Sequence, residues 1–439
     1  MRVIRFDDAN YAAAVASLSR RAEAKEAVRD VVRGVIVDIR ARGDAALLEL
    51  TEKFDGARLT PETLAVSAEE LEAAWRAVAA APEPAEGGAS LKTALEAAHR
   101  NVHAFAVKSL RHSWMDRNEQ GAEVGESYAP FERVGIYVPG GTAPLVSTAI
   151  MTVTLAAAAG VPEIVVCTPC GRDGRVNEGL LAALKLAGAT EVYKVGGAQA
   201  VAAMAFGTET IRPVAKVFGP GNSYVVEAKR QTFGVVSVDL LPGPSEVLIL
   251  ADHTGHPAFI AADILAQAEH GKDSQAGFLT DDPALLEAVL AEVERQMATL
   301  SRQAMIGPVL DQGVFLMLVP SLEEGAALVN AYAPEHLSLI TEREDQLLAA
   351  IRTAGAIFLG NYSPVAVGDF LAGPSHTLPT GGAGKSFPGL TVDMFQKRTS
   401  IVRLDAASCA ASEPVVRAIA TVEGLDAHAR SVAIRGERA

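Results

Sequence analysis

Apolar residues change their spacing along this chain. Between residues 20 and 110 they recur every three or four positions among charged residues, as in EAVRDVVRGVIVDIRARGDAALLELTEKF. That period lays one greasy stripe along a helix and predicts a helical N-terminal region. APEPAEGGAS, at 81–90, reads as a turn or short linker. From about 132 the texture shifts to short β-branched runs, VGIYV, EIVVCTP, EVYKVGG, VAKVFGP and VVSVDLL, alternating with Ala-rich helical runs. Alternation of this kind is the mark of βαβ units around a parallel sheet. After Pro242-Gly243-Pro244 a second series begins, EVLILAD, AGFLTDD, VFLMLVP, LSLIT and AIFLG, separated by helical runs such as PALLEAVLAEVERQMATL. Two consecutive α/β units are predicted, over 131–242 and 243–384. The tail, 385–439, is loop-rich and then helical, and too short for a core of its own.

Composition narrows the partners. The chain has 439 residues, and 39 basic against 53 acidic side chains give a net charge of −14. That balance argues against a nucleic-acid or anionic-membrane binder. Only Cys167, Cys170 and Cys409 occur, no disulfide framework, so a reducing, cytoplasmic setting is expected. The start, MRVIRFDDANYAAAV, carries charge where a signal peptide needs an apolar run. APLVSTAIMTVTLAAAAGVPEIVV is broken by Thr, Gly160 and Pro162, and reads as a buried helix and strand rather than a membrane span.

Three strand-to-helix junctions carry glycine: YVPGGTAP (137–144), VGGAQA (195–200) and FGPGNSYV (218–225). Each is either a plain tight turn or a place where backbone amides approach a phosphate at a helix start. None is a GxGxxG, and no Walker pattern appears. Cys167-Thr168-Pro169-Cys170 is a lone CxxC without a second pair, so its cysteines read as structural or incidental.

AQAEHGKDSQ, at 266–275, ends an apolar helical run in polar groups. Gln267 and His270, at i and i+3, share one helical face, and read either as a solvated helix end or as metal ligands. Ala333-Pro334-Glu335-His336 puts a carboxylate beside an imidazole at a helix break, suiting two distinct proton-transfer roles. Asp369 and His376 lie in a Gly/Pro-rich stretch after AIFLG, and Glu423 and His428 in the tail. Singly each reads as a polar residue on the surface. Together they make a carboxylate/imidazole set suited to zinc.

In order along the chain, YVPGG, VGGAQA, GPGN, GPSE, QAEHG.DSQ, PEHL, HTLPTGG, FQKR and EGL..H resemble the histidinol dehydrogenase family, as does RGDAALLELTEKFDG nearer the start. The resemblance covers most of the chain. It implies two Rossmann-like parallel-sheet domains, with region 1–130 packing on the second, and a C-terminal tail that dimerises and completes the neighbour's site. It implies oxidation of L-histidinol through the aldehyde to L-histidine with two NAD and one zinc per subunit. By resemblance Gln267, His270, Asp369 and His428 match zinc ligands, and Glu335 and His336 the acid/base pair. Ser245, His376 and Glu423 match substrate contacts, alongside the ligand set and His336. Tyr137, Gln199 and Asn222 match NAD contacts. The chain departs from the family at Pro374-Ser375 and in GGAGKSFPGL, 381–390, both near the substrate. The alternative is a relative oxidising another polar alcohol, such as a sulfonated diol. A silent metal- or nucleotide-binding protein is opposed by the presence of both Glu335 and His336.

Overall fold

The computed structural model describes residues 1–18, 26–84, 88–140 and 144–437. Parts of the 81–90 turn and of the 137–144 glycine junction therefore lie outside the described residues. In chain order the strands are β1 (Arg2–Arg5), β2 (Trp114–Arg117), β3 (Glu123–Pro130), β4 (Arg133–Tyr137), β5 (Glu163–Cys167), β6 (Glu191–Tyr193), β7 (Lys216–Phe218), β8 (Ser237–Val238), β9 (Glu246–Ala251), β10 (Gln275–Thr280), β11 (Val314–Leu318), β12 (His336–Ile340), β13 (Ala356–Leu359) and β14 (Gln396–Arg403). Each short apolar run quoted above overlaps one of them.

The first sheet has the order β6-β5-β4-β7-β8 and the second β1-β11-β10-β9-β12-β13, with every neighbouring pair parallel. Leaving β1 aside, both wind alike: the first strand of the unit is central, the next two add on one side, the last two on the other. The strand order therefore switches between β4 and β7, and again between β9 and β12. β4 and β9 are buried along their whole length, as parallel strands covered on both faces must be. The helix Val146–Ala158 is buried through most of its length. No described helix is long and apolar enough to cross a membrane.

The N-terminal helices depart from expectation. Glu26–Arg42 and Asp44–Asp55 set Val32, Ile36, Ile39 and Leu47 against the face of the first sheet that carries Val165 and Val217. Ala68–Ala80 and Leu91–Lys108 set Val78, Leu95 and Val102 against the opposite face, with Val134, Ile136 and Ile164. Among the described residues of this region, only β1 and the helix Tyr11–Ser17 with its cap join the second sheet, through Ile4, Tyr11, Val15 and Leu18. The reason lies in helix Gly197–Phe206, buried at nearly every position. A helix apolar all round needs another layer outside it.

A three-stranded antiparallel sheet, β14-β3-β2, was not legible beforehand. β14 pairs with β3 from Gln396↔Pro130 to Arg403↔Glu123, rooting the tail on the body. Beyond it, helices Ala406–Glu423 and Asp426–Gly436 pack mainly on each other. Val415, Ile419 and Val422 stay 52, 56 and 89% exposed there, an apolar stripe that the described residues leave uncovered.

Candidate active site

The helix Leu322–Tyr332 stops at Ala333, whose φ of 53° is the only positive value among the described non-glycine residues. The reversal carries Glu335 and His336 to the amino end of β12, where they are 7 and 2% exposed. Ser245 Oγ and the Glu246 amide both donate to Glu335 Oε2, at 2.7 and 2.8 Å. That oxygen lies 3.5 Å from His336 Nδ1. His336 Nδ1 also faces the Glu246 carbonyl at 3.2 Å. A carbonyl only accepts, so Nδ1 carries the hydrogen and Nε2 is the basic nitrogen of the neutral ring.

His336 Nε2 points at Asp369 Oδ1, 3.5 Å away, and Asp369 Oδ2 lies 3.8 Å from His270 Nε2. Asp369 sits on a short helix, Val365–Phe370, rather than in the expected loop. That helix packs on Pro257–Ala268, which carries Gln267. His270 falls just past the end of Pro257–Ala268, in a closing turn whose amide bonds to the Gln267 carbonyl at 3.2 Å. Gln267 is 3% exposed, and its Nε2 finds no partner. Gln267 offers an amide oxygen, Asp369 a carboxylate and His270 an imidazole, a mixed oxygen and nitrogen donor set of the kind zinc takes.

His376 turns inward. Its Nδ1 meets the Asp369 carbonyl at 2.9 Å, and its Nε2 meets Thr148 Oγ1 at 3.1 Å. Both nitrogens are engaged within the chain, so the ring ties the first unit's helix Val146–Ala158 to the Asp369 helix. Glu423 and His428 are exposed on the tail, and no hydrogen bond or ion pair among the described residues joins either to this cluster.

Electrostatics follow from burial and neighbours. Burial pushes the Glu335 carboxyl up to about 7, against the pull of His336 and the bonds from Glu246 and Ser245. Burial works against a charged His336, but Glu335 and Asp369 outweigh it and raise the ring to about 9. Burial lowers both His270 and His376. Asp369 is also desolvated, yet His336 holds it below the ordinary carboxylate value.

The remaining expected residues stand at the carboxyl edge of the first sheet. Tyr137 is buried, and its hydroxyl accepts from the Gly197 amide at 3.2 Å. Gln199 is 1% exposed with Nε2 unpartnered. Asn222 spends its side-chain oxygen capping helix Ser223–Thr232, on the Tyr224 and Val225 amides. Gly219, at φ 105°, lies so close to the Tyr137 carbonyl oxygen that any Cβ would collide. Cys167 is fully buried and pushed up to about 12, so no ready thiolate stands at this edge.

Two residues bonded to the candidate site carry no expectation from the sequence. Glu246 is 1% exposed; its amide serves Glu335, its carbonyl His336, and its Oε1 accepts from the Gly381 amide at 3.0 Å. The available signal was a carboxylate opening the otherwise apolar strand EVLILA. Thr148, in an Ala/Thr-rich helix, carried no signal. Asp252, His253 and Glu342 also approach one another. Asp252 already serves Thr254, Thr341 and the Glu342 amide, and the other two residues are exposed, so the donor set around Asp369 is the better metal candidate.

Residues 18–436 match the family model described as histidinol dehydrogenase. A histidinol dehydrogenase of Rhizobium meliloti is 46% identical over 420 residues, covering 96% of this chain and 94% of that protein. One of Geobacillus kaustophilus is 43% identical, covering 96 and 97%. The crystal structure of histidinol dehydrogenase from Elizabethkingia anophelis superposes with a TM-score of 0.92 at 36% identity, covering 100 and 98%. An acetylating aldehyde dehydrogenase from Geobacillus thermoglucosidasius, at 17% identity and a TM-score of 0.51, shares the fold alone.

Proposed function

Since the chain belongs to the histidinol dehydrogenase family, an NAD-dependent oxidoreductase family of histidine biosynthesis, we propose that it oxidises histidinol through the aldehyde to histidine at the Glu335/His336 pair. The observation that carries this reading is that pair itself: a buried carboxylate aimed by Ser245 and Glu246, touching an imidazole whose free nitrogen faces Asp369. Zinc fits Gln267, His270 and Asp369, and NAD fits the Tyr137, Gln199 and Asn222 edge, where a buried amide stands unmatched. Bound zinc would anchor the substrate and bound NAD would accept hydride; the proton work falls to the chain.

His336 Nε2 takes the alcohol proton as hydride leaves. Its lean towards the charged form comes from two flanking carboxylates, and engagement of Asp369 as a ligand relieves one of them. Glu335, with a proton affinity near neutrality, takes a proton from the water that hydrates the aldehyde, and the second hydride then leaves the hydrate. Ser245 aims Glu335, so its expected substrate contact is a second duty beside that one. His376 would reach substrate only by giving up Thr148 or Asp369.

We assign the fourth metal position and the Glu423 contact to a partner subunit's tail in a homodimer. What supports this is a site lacking His428 and Glu423 within one chain, and tail helices with an uncovered apolar stripe. The test of the whole reading is metal removal. Chelation should abolish NADH formation from histidinol, and zinc added to about one equivalent per chain should restore it. Full activity in a sample shown to be metal-free would overturn the reading.

A further inference from the structure

The first sheet's strand order, β6-β5-β4-β7-β8, is that of a dinucleotide-binding half, with β4 first and β5 second. In such halves an acidic residue at the end of the second strand holds the adenosine ribose and disfavours a 2′-phosphate. Here the second strand ends in Cys167-Thr168-Pro169-Cys170, which offers no carboxylate. Asp173, further on, is exposed and bonds to the Arg175 amide in its own turn.

A carboxylate reaches that place from elsewhere in the chain. Asp55 is the last residue of helix Asp44–Asp55, which Gly56 closes at φ 72°. A methyl on Gly196, in the turn after β6, would stand 3.1 and 3.2 Å from the two Asp55 oxygens and 2.8 Å from Pro169 Cβ. Asp55 therefore lies between the tips of the second and third strands. Its Oδ2 is shielded and meets no hydrogen-bond donor. Thr168 Oγ1 and Gln199 Nε2, on fully buried residues of the same edge, are also unmatched. Burial pushes the Asp55 carboxyl up, partly offset by the Gly196 amide. A negative side chain at a helix C-terminus is further disfavoured by the helix dipole. Stability does not account for a desolvated, under-bonded carboxylate at the wrong end of a helix, whereas a ligand offering hydroxyl donors does.

We infer that Asp55, delivered by the N-terminal helices, accepts from the 2′-hydroxyl of the adenosine ribose and sets the preference for NAD over NADP. The inference rests on the proposed dinucleotide site. It also gives the N-terminal helical layer a part in cofactor recognition.

The test measures binding by calorimetry on the zinc-loaded protein, with no turnover. NAD should bind Asp55→Asn about ten- to a hundredfold more weakly than wild type, the loss of a hydrogen bond to a charged group. The ratio of NAD to NADP affinity should shrink towards one. Wild type should bind 2′-deoxyadenosine-NAD more weakly than NAD by a similar factor, and Asp55→Asn should barely distinguish the two. The deoxy arm needs no variant to fold: equal binding of both dinucleotides by wild type overturns the assignment. So does unchanged NAD binding by a folded Asp55→Asn. If Gln199→Ala loses NAD affinity while Asp55→Asn does not, only Asp55 falls. If neither loses affinity, the site itself falls, and this inference with it.

Discussion

Replacing Glu335 by glutamine keeps an acceptor for Ser245 and Glu246 but removes the means of taking a proton from water. Glu335→Gln should slow aldehyde-to-acid conversion about 10²- to 10⁴-fold and alcohol oxidation much less. Single-turnover assays begun from histidinol and from histidinal check this, and equal losses would refute the division of roles. The carboxyl sits at about 7 rather than 4.5 because it is buried. A base must be ionised, so the second oxidation should rise with pH through about 7. The same shift costs stability in the other sense: ionising the folded chain becomes unfavourable as pH rises from 4.5 to about 7. Glutamine at 335 should therefore narrow the stability loss over that window. His336→Asn, by contrast, should slow both hydride steps.

Strands and helices were the best-read level, because covered parallel strands leave short apolar runs and each of these overlaps a strand. The reading failed where partners are distant in sequence. Nothing local in Gln396–Arg403 says that it pairs with Glu123–Pro130, and nothing in Glu26–Arg42 says which sheet it covers. Candidate site residues stand out in the sequence where polar groups break an apolar pattern, as at Gln267 and His270. They were hidden where the backbone does the work, as at Glu246. At the amino end of the first sheet, Arg133 bonds both Glu163 and Glu191, at 2.7 and 2.6 Å. The Arg133 bond holds Glu191 down at about 2 against 4.5 for the free side chain. Its stabilisation is complete above 4.5 and is lost as pH falls towards 2. Glu191→Gln should cost about 1 kcal/mol near neutrality, discounted for partial exposure. Thermal unfolding from pH 7 to 3 should show that deficit shrinking, and a constant deficit would contradict the pairing.

At the scale of the whole molecule, the exposed tail predicts shared sites. His336→Asn and His428→Ala, each inactive, should be unfolded and reassembled together. Under random pairing, half of the dimers are mixed, and each holds one site with both residues intact. About a quarter of all sites should then recover activity. Well-formed mixed dimers without activity would rule the crossover out. The edge strand β1 carries a consequence of another kind. Residues 2–5 pair with 315–318, while the chain between visits the first sheet and its helices. The lobe built on the first sheet is therefore an insertion within the one built on the second, and β1 must wait some three hundred residues for its neighbour. During that wait the inserted lobe has all its strands and can fold, while the outer lobe stays open. Late closure over so long a separation is slow. The vulnerable nascent species is thus a finished inner lobe with a loose N-terminal strand, and a chaperone holding that strand would act on assembly without touching the chemistry.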